Sequence, residues 1–185
     1  MFLKDSTSNA VMRVNTTSDG RQTTGHNMGT DAIGSTIAIS ASGRYVAFDS
    51  DSSNLIKGDT NKDRDVFLKD TQTGQLLRVS TNTNGDAGRG ASFSASISAD
   101  GRYVAFASLA PNLVADDTNG RVDVFVKDTQ TGQTTRASTT SSGGQGNGEL
   151  YEAISSEFAE ISANGRYVAF ESAATNLVPG DANSQ

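Results

Sequence analysis

The side chains with metal-binding chemistry recur at fixed spacing. In the segment DTNKDRD (59–65), Asp59, Asn61, Asp63 and Asp65 alternate, so oxygen donors stand two residues apart. DTNGRVD (117–123) repeats the pattern with Asp117, Asn119 and Asp123, and DAN (181–183) begins it again. Alternating oxygen ligands resemble the first half of a calcium loop, because Ca²⁺ takes six to eight oxygens. Arg64 stands where such a loop needs Gly, no Glu closes it, and Arg121 replaces the middle Asp of the second copy. The same residues also suit a turn in which Asp and Asn side chains bond nearby backbone N–H groups. Calcium is the one cofactor these positions suggest.

Other reactive groups are sparse. There is no Cys, so thiol and disulfide chemistry are excluded, and the single His26 excludes a multi-His zinc site within one chain. His26 lies in the loop RQTTGHNMGTD with no Ser or carboxylate placed to form a triad. No Gly-x-Ser-x-Gly elbow, Walker loop or dinucleotide loop occurs. The segment ELYEAISSEFAE (149–160) carries four Glu with Tyr151 and Phe158, and suits a partner- or cation-binding rim or the cover of a gap in the core. A pI near 4.7 argues against a nucleic-acid backbone as partner. No run of 18 apolar residues marks a transmembrane helix, and no basic-apolar-small pattern marks a secretory signal within this sequence.

What positions these groups is an internal repeat. GRYVAF occurs at 43–48, 101–106 and 165–170, a period of 58 residues and then 64. Ile39, Ile97 and Ile161 precede the copies; Asn54-Leu55, Asn112-Leu113 and Asn176-Leu177 follow them. DVFLKDTQTGQ (65–75) and DVFVKDTQTGQ (123–133) come next, and MFLKDSTSNA (1–10) is a third version. RYVAF and VFLKD are β-branched and aromatic and have no helical stripe. Each unit therefore predicts four strands, here called a to d. Strand a is expected near 36–40, 94–98 and 158–162; b at 44–50, 102–108 and 166–172; c at 1–5, 65–70 and 123–128; d near 10–16, 75–81 and 133–139. Gly closes the a–b and c–d turns, and Asn9 takes its place in the first c–d turn, since Asn tolerates a left-handed backbone. Strand b is apolar on both faces, which a sheet covered on both sides requires.

Repeated four-stranded sheets stacked face to face are β-propeller blades. The residues carry a resemblance to match. SADGRYVAF (98–106) followed by DVFVKD (123–128) resembles the WD-like repeat of TolB-type propellers, with Ala41, Ala99 and Ala163 at that family's turn Pro. The resemblance spans nearly the whole chain. It implies a propeller fold, and a fold that serves enzymes, scaffolds and binding modules alike.

The strand order cd-abcd-abcd-ab makes three blade-equivalents, divided at 1–35, 36–93, 94–157 and 158–185. A propeller ring has four to eight blades. Two copies would make six, with composite blades joining strands a and b of one chain to c and d of the other. The expectation is a homodimeric, self-assembling, non-enzymatic scaffold with no nucleic-acid or membrane partner. The alternatives are a glycan- or protein-binding propeller module, calcium-stabilised or not, and a piece of a longer propeller chain. Long Ser/Thr/Asn/Gly loops without Cys suit a secreted or periplasmic bacterial protein. Two recurring charges have structural expectations: Lys4, Lys69 and Lys127 solvated beside a turn-forming Asp, and Arg13, Arg78 and Arg136 guarding an outer edge strand. Leu, Ile, Val and Phe number only 36 of 185 residues, so no single repeat has the core to fold alone.

Overall fold

The computed structural model describes residues 1–23, 36–147 and 159–181. Their regular structure is all β, with no helix. Two four-stranded antiparallel sheets form the middle. One is β3 (Ile37–Ile39), β4 (Tyr45–Ser50), β5 (Asp65–Asp70) and β6 (Leu76–Arg78). The other is β7 (Ser92–Ile97), β8 (Tyr103–Ser108), β9 (Asp123–Asp128) and β10 (Thr134–Arg136). Two-stranded sheets flank them: β1 (Phe2–Lys4) with β2 (Val11–Arg13), and β11 (Glu160–Ile161) with β12 (Val168–Ala169).

The repeat sets the same register twice. Tyr45 pairs with Asp70 and Phe48 with Phe67; Tyr103 pairs with Asp128 and Phe106 with Phe125. The paired rings lie 5.8 and 5.9 Å apart, within the range for favourable aromatic contact. Gly43, Gly101 and Gly165 close the a–b turns at φ 73, 78 and 71°. Asn9 takes φ 60° where Gly74 and Gly132 stand in the other c–d turns, as its residue type leads one to expect.

Alternation along strand b distributes its side chains to different layers. Val46 and Phe48 pack with Val14, Leu55 and Phe67 toward β1–β2. Ala47 packs with Val66, Leu68, Ala95, Val104 and Phe106 toward the next sheet. The core thus lies between sheets. A bulge in β7 between Phe93 and Ser96 turns the Ala95 N–H toward Thr36 Oγ1, 2.9 Å away. That bond ties neighbouring sheets together where a regular ladder would spend it within one.

The last strand b is shorter than the repeat predicts. β12 covers only Val168–Ala169, whereas β4 and β8 are six residues long. β4 and β8 are hydrogen-bonded on both sides, and β12 only to β11. A strand with one neighbour has half the ladder to hold it extended.

Candidate functional site

The acidic loops lie between strands b and c, and their donors turn inward onto arginine. Arg78, on β6, places Nη2 2.9 Å from Asp59 Oδ1 and Nε 3.5 Å from Asp65 Oδ2. These side chains are shut off from solvent: Arg78 is 10% exposed, Asp59 4% and Asp65 0%. Asp65 also accepts 2.6 Å from the Ser80 hydroxyl and 3.2 Å from the Asn61 amide. The Asn61 amide donates onward to Gly88 O, and its Oδ1 accepts the Asp63 N–H. Asp63 thus joins the turn through its backbone.

The second loop repeats this with one change. Arg136 Nη1 lies 3.7 Å from Asp117 and 3.5 Å from Asp123, and its Nη2 donates to Asp116 O at 3.0 Å. Gln145 bridges the two carboxylates, donating at 3.0 Å to Asp117 and 2.9 Å to Asp123. Ser138 donates to Asp123 at 2.5 Å, and Asn119 reaches Asp123 at 3.2 Å. Burial pushes the Asp65 and Asp117 carboxyls above the ordinary carboxylate value, against the opposing pull of their hydrogen bonds and arginines. Asp59 Oδ1, Asp117 Oδ2 and the Nε of each arginine have charged neighbours but no well-aligned hydrogen bond.

Two expectations about charge are thereby corrected. Arg78 and Arg136 do not guard an outer edge; they fold inward and neutralise carboxylates. Lys69 and Lys127 are not solvated, being 3% and 4% exposed. Lys69 Nζ donates to Thr16 O, Thr17 O and Gly74 O at 2.8–3.1 Å. Lys127 Nζ donates to Thr81 O, Thr81 Oγ1, Asn82 O and Thr134 Oγ1 at 2.8–3.2 Å. Each ammonium pins the chain leaving one sheet onto strand c of the next, and its burial lowers its pKa. Lys4 is exposed, and among the described residues no carbonyl group holds its ammonium. The neighbouring Asp residues do start turns: Asp70 accepts from the N–H groups of Gln72 and Thr73, and Asp128 from those of Gln130 and Thr131. Arg44 and Arg102 bond these carboxylates at 2.7 Å and hold them well below the ordinary carboxylate range.

Some participants escaped the sequence reading. Ser80 and Ser138 follow the arginines two residues on, a recurrence that was legible. Asp49 was not, because Ala107 and Glu171 occupy its place in the other copies. It is fully buried, accepts from Thr36 and is paired with Arg64. His26, Asn183 and residues 149–158 of the Glu-rich segment lie outside the described residues. Among the described residues no three His, Asp or Glu side chains converge to hold a metal ion. A cleft of about 280 Å³ opens between β3, β7 and β11, lined by Ile37, Ile39, Ser94, Ser96 and Glu160.

No family model and no curated protein matches the chain. Solved structures do. The chain is 17% identical to tricorn protease over 94% of its own length and 13% of that chain, with a TM-score of 0.50. It is 16% identical to TolB from Acinetobacter baumannii over 91% of its length and 31% of that chain, TM-score 0.47. It is 16% identical to a putative TolB from Agrobacterium tumefaciens over 75% of its length and 38% of that chain, TM-score 0.45. The chain therefore spans well under half the length of these proteins. At such identity the likeness to tricorn protease concerns the fold alone, a β-propeller fold, in keeping with the repeat.

Proposed function

We propose that this chain is a non-enzymatic structural half of a β-propeller, completed to a six-bladed ring by a second copy. One observation carries the reading. Apolar residues on β1 and β3 are exposed where their repeat equivalents are buried. Phe2 is 65% exposed, while Phe67 and Phe125 in the same position are fully buried. Ile37 is 56% exposed, while its equivalent Ala95 is 5% exposed. Apolar surface at equivalent positions costs free energy in water that a neighbouring sheet removes. An interface that covered it, joining half-blades into composite blades, falls in the obligate class above ~2,000 Å².

The acidic loops, in this reading, are turns held by arginine. A guanidinium already neutralises each carboxylate pair, so a calcium ion would have to displace it.

Light scattering on the purified chain tests assembly. The expected mass is twice 19.2 kDa. A mass of one chain, with the β-sheet circular dichroism signal retained, overturns the reading and points to completion by further residues of a longer chain.

A further inference from the structure

The contacts between neighbouring sheets recur with a one-repeat step, and each series ends one member short. Tyr45 covers Gly101, and a Cβ added there would meet its ring at 2.2 Å. Tyr103 covers Gly165 at the same 2.2 Å. Tyr167 continues the series, is 61% exposed and covers no glycine among the described residues. At the other end Gly43 has the same turn, with φ +73°, and among the described residues no ring lies over it; a Cβ added there would meet Ile39 Cδ1 at 3.9 Å.

The backbone repeats the step. Ala41 N–H donates to Ala99 O at 3.1 Å, and Ala99 N–H to Ala163 O at 2.9 Å. The next donor in the series is Ala163 N–H and the next free acceptor is Ala41 O.

The charges do likewise. Arg44 lies 4.9 Å over Tyr45 and bonds Asp70 on the neighbouring strand; Arg102 lies 4.8 Å over Tyr103 and bonds Asp128. Arg166 lies 5.1 Å over Tyr167 and is exposed with no carboxylate bonded to it among the described residues. Asp5 holds the Asp70 position just after β1, is also exposed, and among the described residues its carboxylate bonds only its own turn at Thr7 and Ser8.

We propose that β12 pairs antiparallel with β1 of a second copy, Tyr167 opposite Asp5 and Phe170 opposite Phe2, so that Arg166 bonds that copy's Asp5 and Tyr167 seats on its Gly43. The proposal rests on the assembly reading above and names its contacts. One face donates a cation, an aromatic ring and an N–H. The other offers a carboxylate, a bare glycine and a carbonyl. Each chain carries both faces, so two chains satisfy both sets and close, as a two-fold assembly must. Lys4 of one copy then reaches the Thr139 and Thr140 carbonyls of the other, the places held by Thr16–Thr17 and Thr81–Asn82 in the sockets of Lys69 and Lys127.

The test is a charge swap read by sedimentation equilibrium. Arg166→Asp and Asp5→Arg change exposed side chains; Asp5→Arg also gives up the turn bonds to Thr7 and Ser8, so the β-sheet circular dichroism signal of each variant is first matched to that of the wild type. Each alone is expected to weaken dimerisation about tenfold or more, and the double variant to restore it. Gly43→Ala should also weaken the dimer, whereas Gly132→Ala, with a matching φ of +77° and open space around it, should not. A dimer that ignores the single variants, or that the double variant does not rescue, overturns this register and leaves the assembly reading standing. A wild-type monomer removes the assembly reading, and this register with it.

Discussion

Gly101→Ala is the sharpest probe of how neighbouring sheets fit. The new Cβ would lie 2.2 Å from Tyr45 Cδ2, 2.6 Å from Cγ and 2.9 Å from Cε2. Carbon atoms rest about 3.5–4.0 Å apart, so the ring must retreat by more than about 1 Å. It cannot do so alone, because Arg44 stacks on it and is bonded to Asp70 at 2.7 Å. Overpacking of this kind costs about 1–3 kcal/mol. An alanine at φ +78° adds about 1–2 kcal/mol of backbone strain. The sum is about 2–5 kcal/mol, and for a chain of this size each kcal/mol lowers Tm by about 2–4 °C. Gly132→Ala separates the two contributions, since at φ +77° with nothing within 4 Å it carries the strain alone. Calorimetry should show both variants melting below the wild type, and Gly101→Ala below Gly132→Ala by several degrees. Equal losses would refute the claim that the tyrosine seat locks adjacent sheets.

Three further outcomes follow from the bonded charges. Lys127→Met should lose about 1.5–3 kcal/mol in urea unfolding, because the ammonium's bonds to Thr81, Asn82 and Thr134 go and a hydrogen bond to a charged group contributes about 1.5–3 kcal/mol, while the Thr134 hydroxyl and the Gly85 N–H still satisfy the Thr81 and Asn82 carbonyls; an unchanged midpoint would show the socket contributes nothing. Arg136→Met should cost about 3–5 kcal/mol by leaving Asp117 and Asp123 facing each other, and Ca²⁺ should leave the wild-type Tm unchanged; a calcium-dependent rise would show that the ion, and not arginine, holds the loop. Asp70 and Asp128 titrate below the ordinary value of 3.8 because Arg44 and Arg102 bond them. Below that value the unfolded chain takes up protons that the folded chain refuses, so their stabilisation is full above it and is lost as pH falls further. Asp128→Asn should flatten the acid limb of a stability–pH curve, and an unaltered slope would remove that pair from the account.

The sheets were legible because they follow from local, repeated patterns. Alternation in RYVAF, Gly at 43, 101 and 165, and Asn9 in a Gly position each act within one hairpin, where neighbouring residues decide conformation. Ser80 and Ser138 were within reach for the same reason. The acidic loops were legible as sites of close-packed oxygen, but not as to what neutralises them. Arg78 lies thirteen residues beyond Asp65, and only the pairing of β5 with β6 brings it back over the loop.

Lys69 marks the limit most clearly. Its sequence neighbours are those of a solvated lysine before a turn, and Lys4, with similar neighbours, is exposed. What buries Lys69 is the chain leaving another sheet, 52 and 53 residues away at Thr17 and Thr16. The amino-acid order alone determined the repeat, the strands and the turns, because backbone propensity and alternation are short-range. Tertiary stacking decided which of three equivalent lysines, tyrosines and phenylalanines would be covered, because cover depends on whether a neighbouring sheet stands beside each one.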